Sequence, residues 1–160
     1  HVRVAHNPQS NLKLASGIAP VAGMLQKGIT VGLGTDGASS NNNLDMLEEV
    51  RLAAMLAKTQ SGDPKAVPAS QMGAEAVGLK NVGRLEPGQK ADVVLYNMDS
   101  PAWYPRNDRT SLLVYAGSSA DVDTVLVDGN ILLKKGEFTT IDLEKVTAEV
   151  ERCIGYVIPK

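Results

Sequence analysis

Residues 29–43 read ITVGLGTDGASSNNN. Ile29-Thr30-Val31-Gly32-Leu33-Gly34 is short, uncharged and β-rich, the composition of a strand buried on both faces. The run stops at Thr35-Asp36-Gly37, which sets a carboxylate at the strand's C-terminal end, before a polar loop and a new helix. In parallel α/β sheets and barrels, chemistry is built at the C-terminal ends of the strands. Asp36 is therefore the first candidate for a functional residue. Asp-Gly after a strand is also ordinary turn chemistry, with the Asp bonding backbone N–H groups and the Gly supplying φ > 0. The tetrapeptide leaves both readings open.

The flanking sequence narrows the choice. Residues 1–6, HVRVAH, read as a strand that ends on His6, because Asn7-Pro8 breaks any strand interior. A loop of short polar side chains, residues 7–11, is expected next. A helix is predicted over residues 19–27, with Pro20 in its first turn, Val21, Met24 and Leu25 as its apolar stripe, and Gly28 at C′. Strand, helix and strand within about 35 residues make a right-handed βαβ unit with parallel strands. That topology brings the loops after His6 and Asp36 to one edge of one sheet.

Beyond residue 43 a second helix is expected, with Asn43 as N-cap, Asp45 in the first turn, and Leu44, Leu47, Val50, Ala54 and Ala57 on its buried face. Asp45, Glu48, Glu49 and Lys58 fall largely opposite. A loop over residues 60–68 and a short Ala-rich helix over 69–77 follow. The character changes at Val82. Residues 91–96 and 122–127 read as strands, and Asp128-Gly129 signals a type I′ hairpin into a return strand over 130–135. Residues 97–110 read as a loop whose Trp103 and Tyr104 pack on this β module. Residues 112–115 fit either a short strand or a helical turn. Asp142 is expected to cap a final helix with Leu143, Val146, Val150 and Ile154 on one face.

Composition excludes several classes. The 160 residues are 43% hydrophobic and 21% charged, the balance of a soluble globular domain with a real core. A whole (β/α)8 barrel needs about 250 residues. A net charge of −2 leaves no basic footprint for nucleic acid. No apolar run approaches the ~20 residues of a membrane span, and no leader precedes the first strand, so a cytoplasmic location is expected. The single cysteine, Cys153, excludes an internal disulfide and reads as a half-buried, inert thiol in a helical pattern.

Four segments together carry a resemblance. His6-Asn7-Pro8-x-Ser10-Asn11-Leu12-Lys13-Leu14-x-Ser16-Gly17-Ile18-Ala19-Pro20 and Leu33-Gly34-Thr35-Asp36-Gly37-Ala38-x-Ser40-Asn41-Asn42 resemble the amidohydrolase superfamily, in its 5′-methylthioadenosine/S-adenosylhomocysteine deaminase and chlorohydrolase-like branch. Gly83-x-Leu85-x-x-Gly88-x-x-Ala91-Asp92-Val93-Val94 and Val125-x-Val127-Asp128-Gly129 resemble that family's small β-sandwich. The order and spacing of the motifs match over essentially the whole chain.

The fold implied is α/β: the C-terminal part of a metal-dependent-hydrolase (β/α)8 TIM barrel followed by part of a small β-sandwich domain. Residues 1–82 would be the last two βα units, 83–140 the sandwich part and 141–160 a C-terminal helix. The activity implied is hydrolytic deamination of an adenine ring with a divalent metal, usually zinc. Asp36 matches the family's Asp that ends the eighth strand, touches the metal and shuttles a proton. His6, Ser10 and Asn11 lie beside the substrate in the family pattern; the same residues also suit capping a strand end and holding a loop.

The resemblance is incomplete. His1 and His6 are the only histidines, so the family's His-x-His pair has no counterpart here, and one Asp cannot hold a catalytic zinc that needs about three protein ligands. The family's longer helix, ALxMATxxGA, is contracted at Pro68 to Gly73. These 160 residues alone are therefore expected to be inactive. The partners expected are a small nucleoside-like substrate and the remainder of the barrel or another chain, a homo-oligomer included. A chlorohydrolase, a guanine or cytosine deaminase, or a non-catalytic interaction module are the alternatives.

Overall fold

A computed structural model describes residues 2–66 and 83–157. The helix expected over residues 69–77, and the contraction at Pro68 to Gly73, lie outside the described residues. Contacts divide the chain into two units, His1–Gln89 with Met98–Asp121, and Lys90–Asn97 with Val122–Lys160.

The first unit is built on the βαβ element. β1 (Arg3–His6) and β2 (Thr30–Leu33) pair in parallel, with Val4 opposite Val31 and His6 opposite Leu33. The crossover contains α2 (Val21–Gln26), whose end is turned by Gly28 at φ +72°, a conformation that a residue with a Cβ rarely adopts. Val21, Val31 and Ala57 form the centre of the core, with Val4, Ala22, Met24, Leu25 and Ile29 packed around them. Each turns an apolar side chain inward at the helical or strand period, so burial of these faces drives the unit's assembly.

Three local features differ from the sequence reading. Residues 7–11 are not loop: α1 spans Pro8–Lys13, with Pro8 at N1, where its fixed φ is helical and its missing N–H costs nothing. A further short helix, α3 (Ala38–Asn41), follows Asp36 directly. The long helix α4 (Met46–Ser61) starts two residues late, because Asp45 rather than Asn43 is the N-cap. The Asp45 carboxylate accepts from the Leu47 N–H at 2.8 Å, and Asn43 instead accepts from Asp45 N and donates to Glu48.

Residues 98–121 were expected to extend the β module. They group instead with the first unit, and Trp103, 1% exposed, is buried there. The segment contains a 3₁₀ turn (Pro101–Trp103) and α5 (Arg109–Tyr115), which settles residues 112–115 as helix. Asp108 caps α5 by accepting from Thr110 N and Ser111 N. Arg51 on α4 closes its far end, donating through Nε to Val114 O at 2.9 Å and through Nη2 to Gly117 O. A guanidinium on the last carbonyls of a helix satisfies acceptors that have no partner within the helix.

The second unit is an antiparallel sheet in the order β3 (Val93–Tyr96), β4 (Val122–Val127), β5 (Asn130–Lys134), β6 (Glu137–Phe138). The expected hairpin is present: Asp128 and Gly129 both take positive φ, at +48° and +81°, as type I′ requires. Two of the matching motifs meet here, since Asp128 N donates to Asp92 Oδ1 at 2.7 Å and Gly129 N to Ala91 O at 3.0 Å. A second hairpin through Lys135 and Gly136 adds β6, which the sequence reading did not anticipate. The final helix, α6 (Leu143–Val157), is capped by Asp142 as expected, but all its residues are exposed, Cys153 with them. The thiol is therefore not half-buried.

Candidate active site

β2 ends at Leu33, and three residues later Asp36 stands in the left-handed region at φ +60°. Asp tolerates that region better than most side chains, because its short carboxylate bonds nearby groups. Here the carboxylate gathers the flanking helices. Ser10 Oγ, from α1, donates to Asp36 Oδ2 at 2.7 Å, and Ser40 Oγ, from α3, donates to the same oxygen at 2.7 Å. Ser40, Ser10 and the Gly37 N–H, in that order, hold the Asp36 carboxyl below its ordinary range, against a small opposing desolvation. Asp36 is exposed, so the charged carboxylate is open to approach.

The two helices that supply these hydroxyls are joined on their other side. Glu49 of α4 is 0% exposed. Its Oε2 accepts from the Gln9 N–H at 3.1 Å, and its Oε1 accepts from Asn41 Nδ2. Gln9 Nε2 donates to Asn41 O at 3.1 Å, and Asn41 Oδ1 receives Leu44 N at 2.9 Å. Lys13 reaches from α1 to Ser39 O and Asn42 Oδ1. The helical-wheel reading put Glu49 on the solvent side. The buried residues of α4 are Glu49, Ala53, Ala54 and Ala57, so Ala54 and Ala57 face inward as expected and the buried face takes in Glu49 as well.

His6 ends β1, is 3% exposed, and its imidazole pKa is lowered by desolvation, which favours the neutral ring. Its Nδ1 is buried and has no hydrogen-bond partner among the described residues. Its carbonyl accepts from Gly34 N at 3.1 Å, and the Asn7 amide bridges His6 O and Gly34 O, so the β1 and β2 ends are tied together as the topology required. Gly34 is needed there: a methyl at that position would meet the Asn7 amide at 2.7 Å. Asn11 contributes its backbone, N–H to Asn7 O and carbonyl to Ser16 N–H. The structure thus brings Asp36 and Ser10 into contact and places His6 at the neighbouring strand end.

The donor set fits one corner of a metal site and not a whole one. Asp36 offers an exposed, ionised carboxylate, but no three His, Cys, Asp or Glu side chains converge as ligands among the described residues. A catalytic zinc takes about three protein ligands and a water, so Asp36 would be a single ligand among others supplied from outside these residues.

Comparison with known proteins places the chain in a family. The profile of the Amidohydrolase family matches residues 1–132. A 5-methylthioadenosine/S-adenosylhomocysteine deaminase of Dictyoglomus thermophilum is 54% identical over 99% of this chain, and one of Moorella thermoacetica is 54% identical over 94% of it. Among solved structures, a zinc-bound adenosine deaminase from Xanthomonas campestris superposes with TM-score 0.88 at 34% identity over 92% of the chain. The zinc complex of atrazine chlorohydrolase from Arthrobacter aurescens superposes with TM-score 0.83 at 30% identity over 94% of the chain. The chain spans 37–39% of the length of those two deaminases and 35–36% of the two structures. Mixed α/β architecture, a parallel βαβ edge and a separate antiparallel sheet match the expected part of a metal-dependent-hydrolase barrel with part of its β-sandwich. This chain belongs to the amidohydrolase family.

Proposed function

We propose that the chain is the C-terminal part of a cytoplasmic, metal-dependent aminohydrolase that deaminates the adenine ring of 5′-methylthioadenosine and S-adenosylhomocysteine. The observation that carries the reading is Asp36: an ionised carboxylate at a strand's C-terminal end, with one oxygen fixed by hydroxyls from two helices. The relatives at 54% identity are named for this activity, and both zinc-bound structures belong to hydrolases.

A divalent metal, when bound, lowers the pKa of water toward 7 and so supplies a nucleophile at neutral pH. The chain's own residues do the rest of the work assigned here. Asp36 takes a proton from the attacking water and returns it to the departing amine. The water oxygen forms the new bond to the ring carbon, the C–N bond breaks, and ammonia leaves. Ser10 and Ser40 keep Asp36 charged and oriented, so Ser10 acts through Asp36 rather than on the ribose. His6 stands at the neighbouring strand end, where the family resemblance sets it beside the nucleoside, with its Nδ1 buried and unpartnered among the described residues, and Asn11 holds α1 through its backbone.

The structural likeness to a chlorohydrolase carries a second reading within the same chemistry, displacement of chloride from a triazine ring. Assay of the zinc-loaded, full-length protein decides between them. The expected result is ammonia release from methylthioadenosine, with little turnover of guanine, cytosine or a chlorotriazine. Turnover of the chlorotriazine alone overturns the substrate assignment. Absence of any turnover with zinc bound favours a non-catalytic module.

A further inference from the structure

We propose that Glu49 is a positioning residue for the Asp36 site, a buried clamp that sets the spacing of the two helices delivering hydroxyls to Asp36. This rests on the reading of Asp36 as the working carboxylate. The geometry has a simple symmetry. Gln9 and Ser10 are neighbours on α1, as Ser40 and Asn41 are on α3. Glu49 binds Gln9 and Asn41, while Asp36 binds Ser10 and Ser40. Two carboxylates thus grip the same pair of segments from opposite sides, and Gln9 Nε2 to Asn41 O is the strut between them.

A buried carboxylate is costly unless its oxygens are hydrogen-bonded. A core position beside Ala53 and Ala57 would accept an apolar residue at no such cost, so what Glu49 provides is geometry. Each of its oxygens takes one donor, one from each helix. Any change of Glu49 that lets α1 and α3 separate moves Ser10 and Ser40 relative to each other, and they cannot then both reach Oδ2. A misplacement on the order of 1 Å away from the chemistry can cost about 100-fold in rate.

The test uses the full-length, zinc-loaded protein, with methylthioadenosine as substrate and zinc itself as binding probe. Glu49→Gln keeps the shape but sets a second amide against Asn41 Nδ2. We expect kcat to fall 10- to 100-fold, the range found for partners that orient a metal ligand, with KM within about threefold and zinc affinity reduced. Asn41→Asp in the Glu49→Gln background restores a donor–acceptor match and is expected to recover at least tenfold of the loss. Unchanged kcat and zinc affinity in Glu49→Gln, or a double variant no better than the single, overturns the clamp. If Glu49→Gln fails to fold, Gln9→Met removes the strut, and with it the Gln9 Nε2 bond to Asn43 Oδ1, while keeping the Gln9 N–H to Glu49: kcat lowered severalfold at constant KM supports the clamp, and unchanged kcat overturns it. Wild-type protein that binds zinc but deaminates nothing defeats the functional reading alone, since the zinc affinity of Glu49→Gln still reports on the clamp.

Discussion

Asp36 combines a left-handed backbone with a doubly hydrogen-bonded side chain. The two features belong together: the positive φ turns the chain sharply after β2, so that α3 begins at once and brings Ser40 to Oδ2. Ser10→Ala and Ser40→Ala each remove one donor and are expected to lower kcat of the full-length enzyme by roughly tenfold, and both together by more. Steady-state kinetics with circular dichroism as a fold control checks this. His6 makes a separate prediction about pH. Its folded pKa lies below the ordinary 6.5, so the unfolded chain binds the proton first. Stability attributable to its neutral, buried form is complete above pH 6.5 and is lost as pH falls through and below that value. Urea unfolding between pH 8 and 5 should show the decline, and His6→Gln should flatten it.

At the scale of elements, the parallel strands, the crossover helix and the I′ hairpin were legible because each rests on a local signal: an apolar run, a Pro–Gly bracket, an Asp-Gly pair. The helices α1 and α3 were not, since Asn, Ser and Gln in short runs prefer loops unless tertiary hydrogen bonds hold them in a helix. Here Glu49, Lys13 and Asp36 provide those bonds. Asp36 itself could be picked out from its place at a strand end, but Glu49 and Ser40 could not, because a charged residue on a helix is expected in solvent and a serine after Asp-Gly is expected in a turn. Trp103 and α5 were assigned to the wrong unit for a similar reason. Sequence adjacency favoured the β module, whereas Arg51, 63 residues from Val114, ties α5 to α4. Two substitutions probe these elements. Val31→Ala, in the core at 2% exposure, should cost about 2–3 kcal/mol in denaturant unfolding. Gly117→Ala would bring a methyl within 2.6 Å of the Leu113 carbonyl, so α5 must give way at the end that Arg51 closes, with a lowered melting temperature.

On the scale of the whole molecule, the chain is part of an amidohydrolase barrel, and Asp36 is the residue proposed as one corner of its catalytic site. No helix among the described residues is long and apolar enough to cross a membrane. Taken by itself, the 160-residue chain is expected to bind zinc weakly and to release no ammonia from methylthioadenosine, since no ligand cluster forms among its described residues. Isothermal titration with zinc checks the first point. The most direct test of the account is Asp36→Asn in the full-length protein, which keeps a hydrogen-bond acceptor for the two serines but removes the charge and the proton acceptor. We expect the variant to fold normally, to hold zinc less tightly and to lose ammonia release by at least 1,000-fold, on the order of the loss when a group acting in proton transfer is removed. Deamination within tenfold of wild type in a folded, zinc-loaded Asp36→Asn protein would contradict it, and the carboxylate at the end of β2 would then be a turn residue.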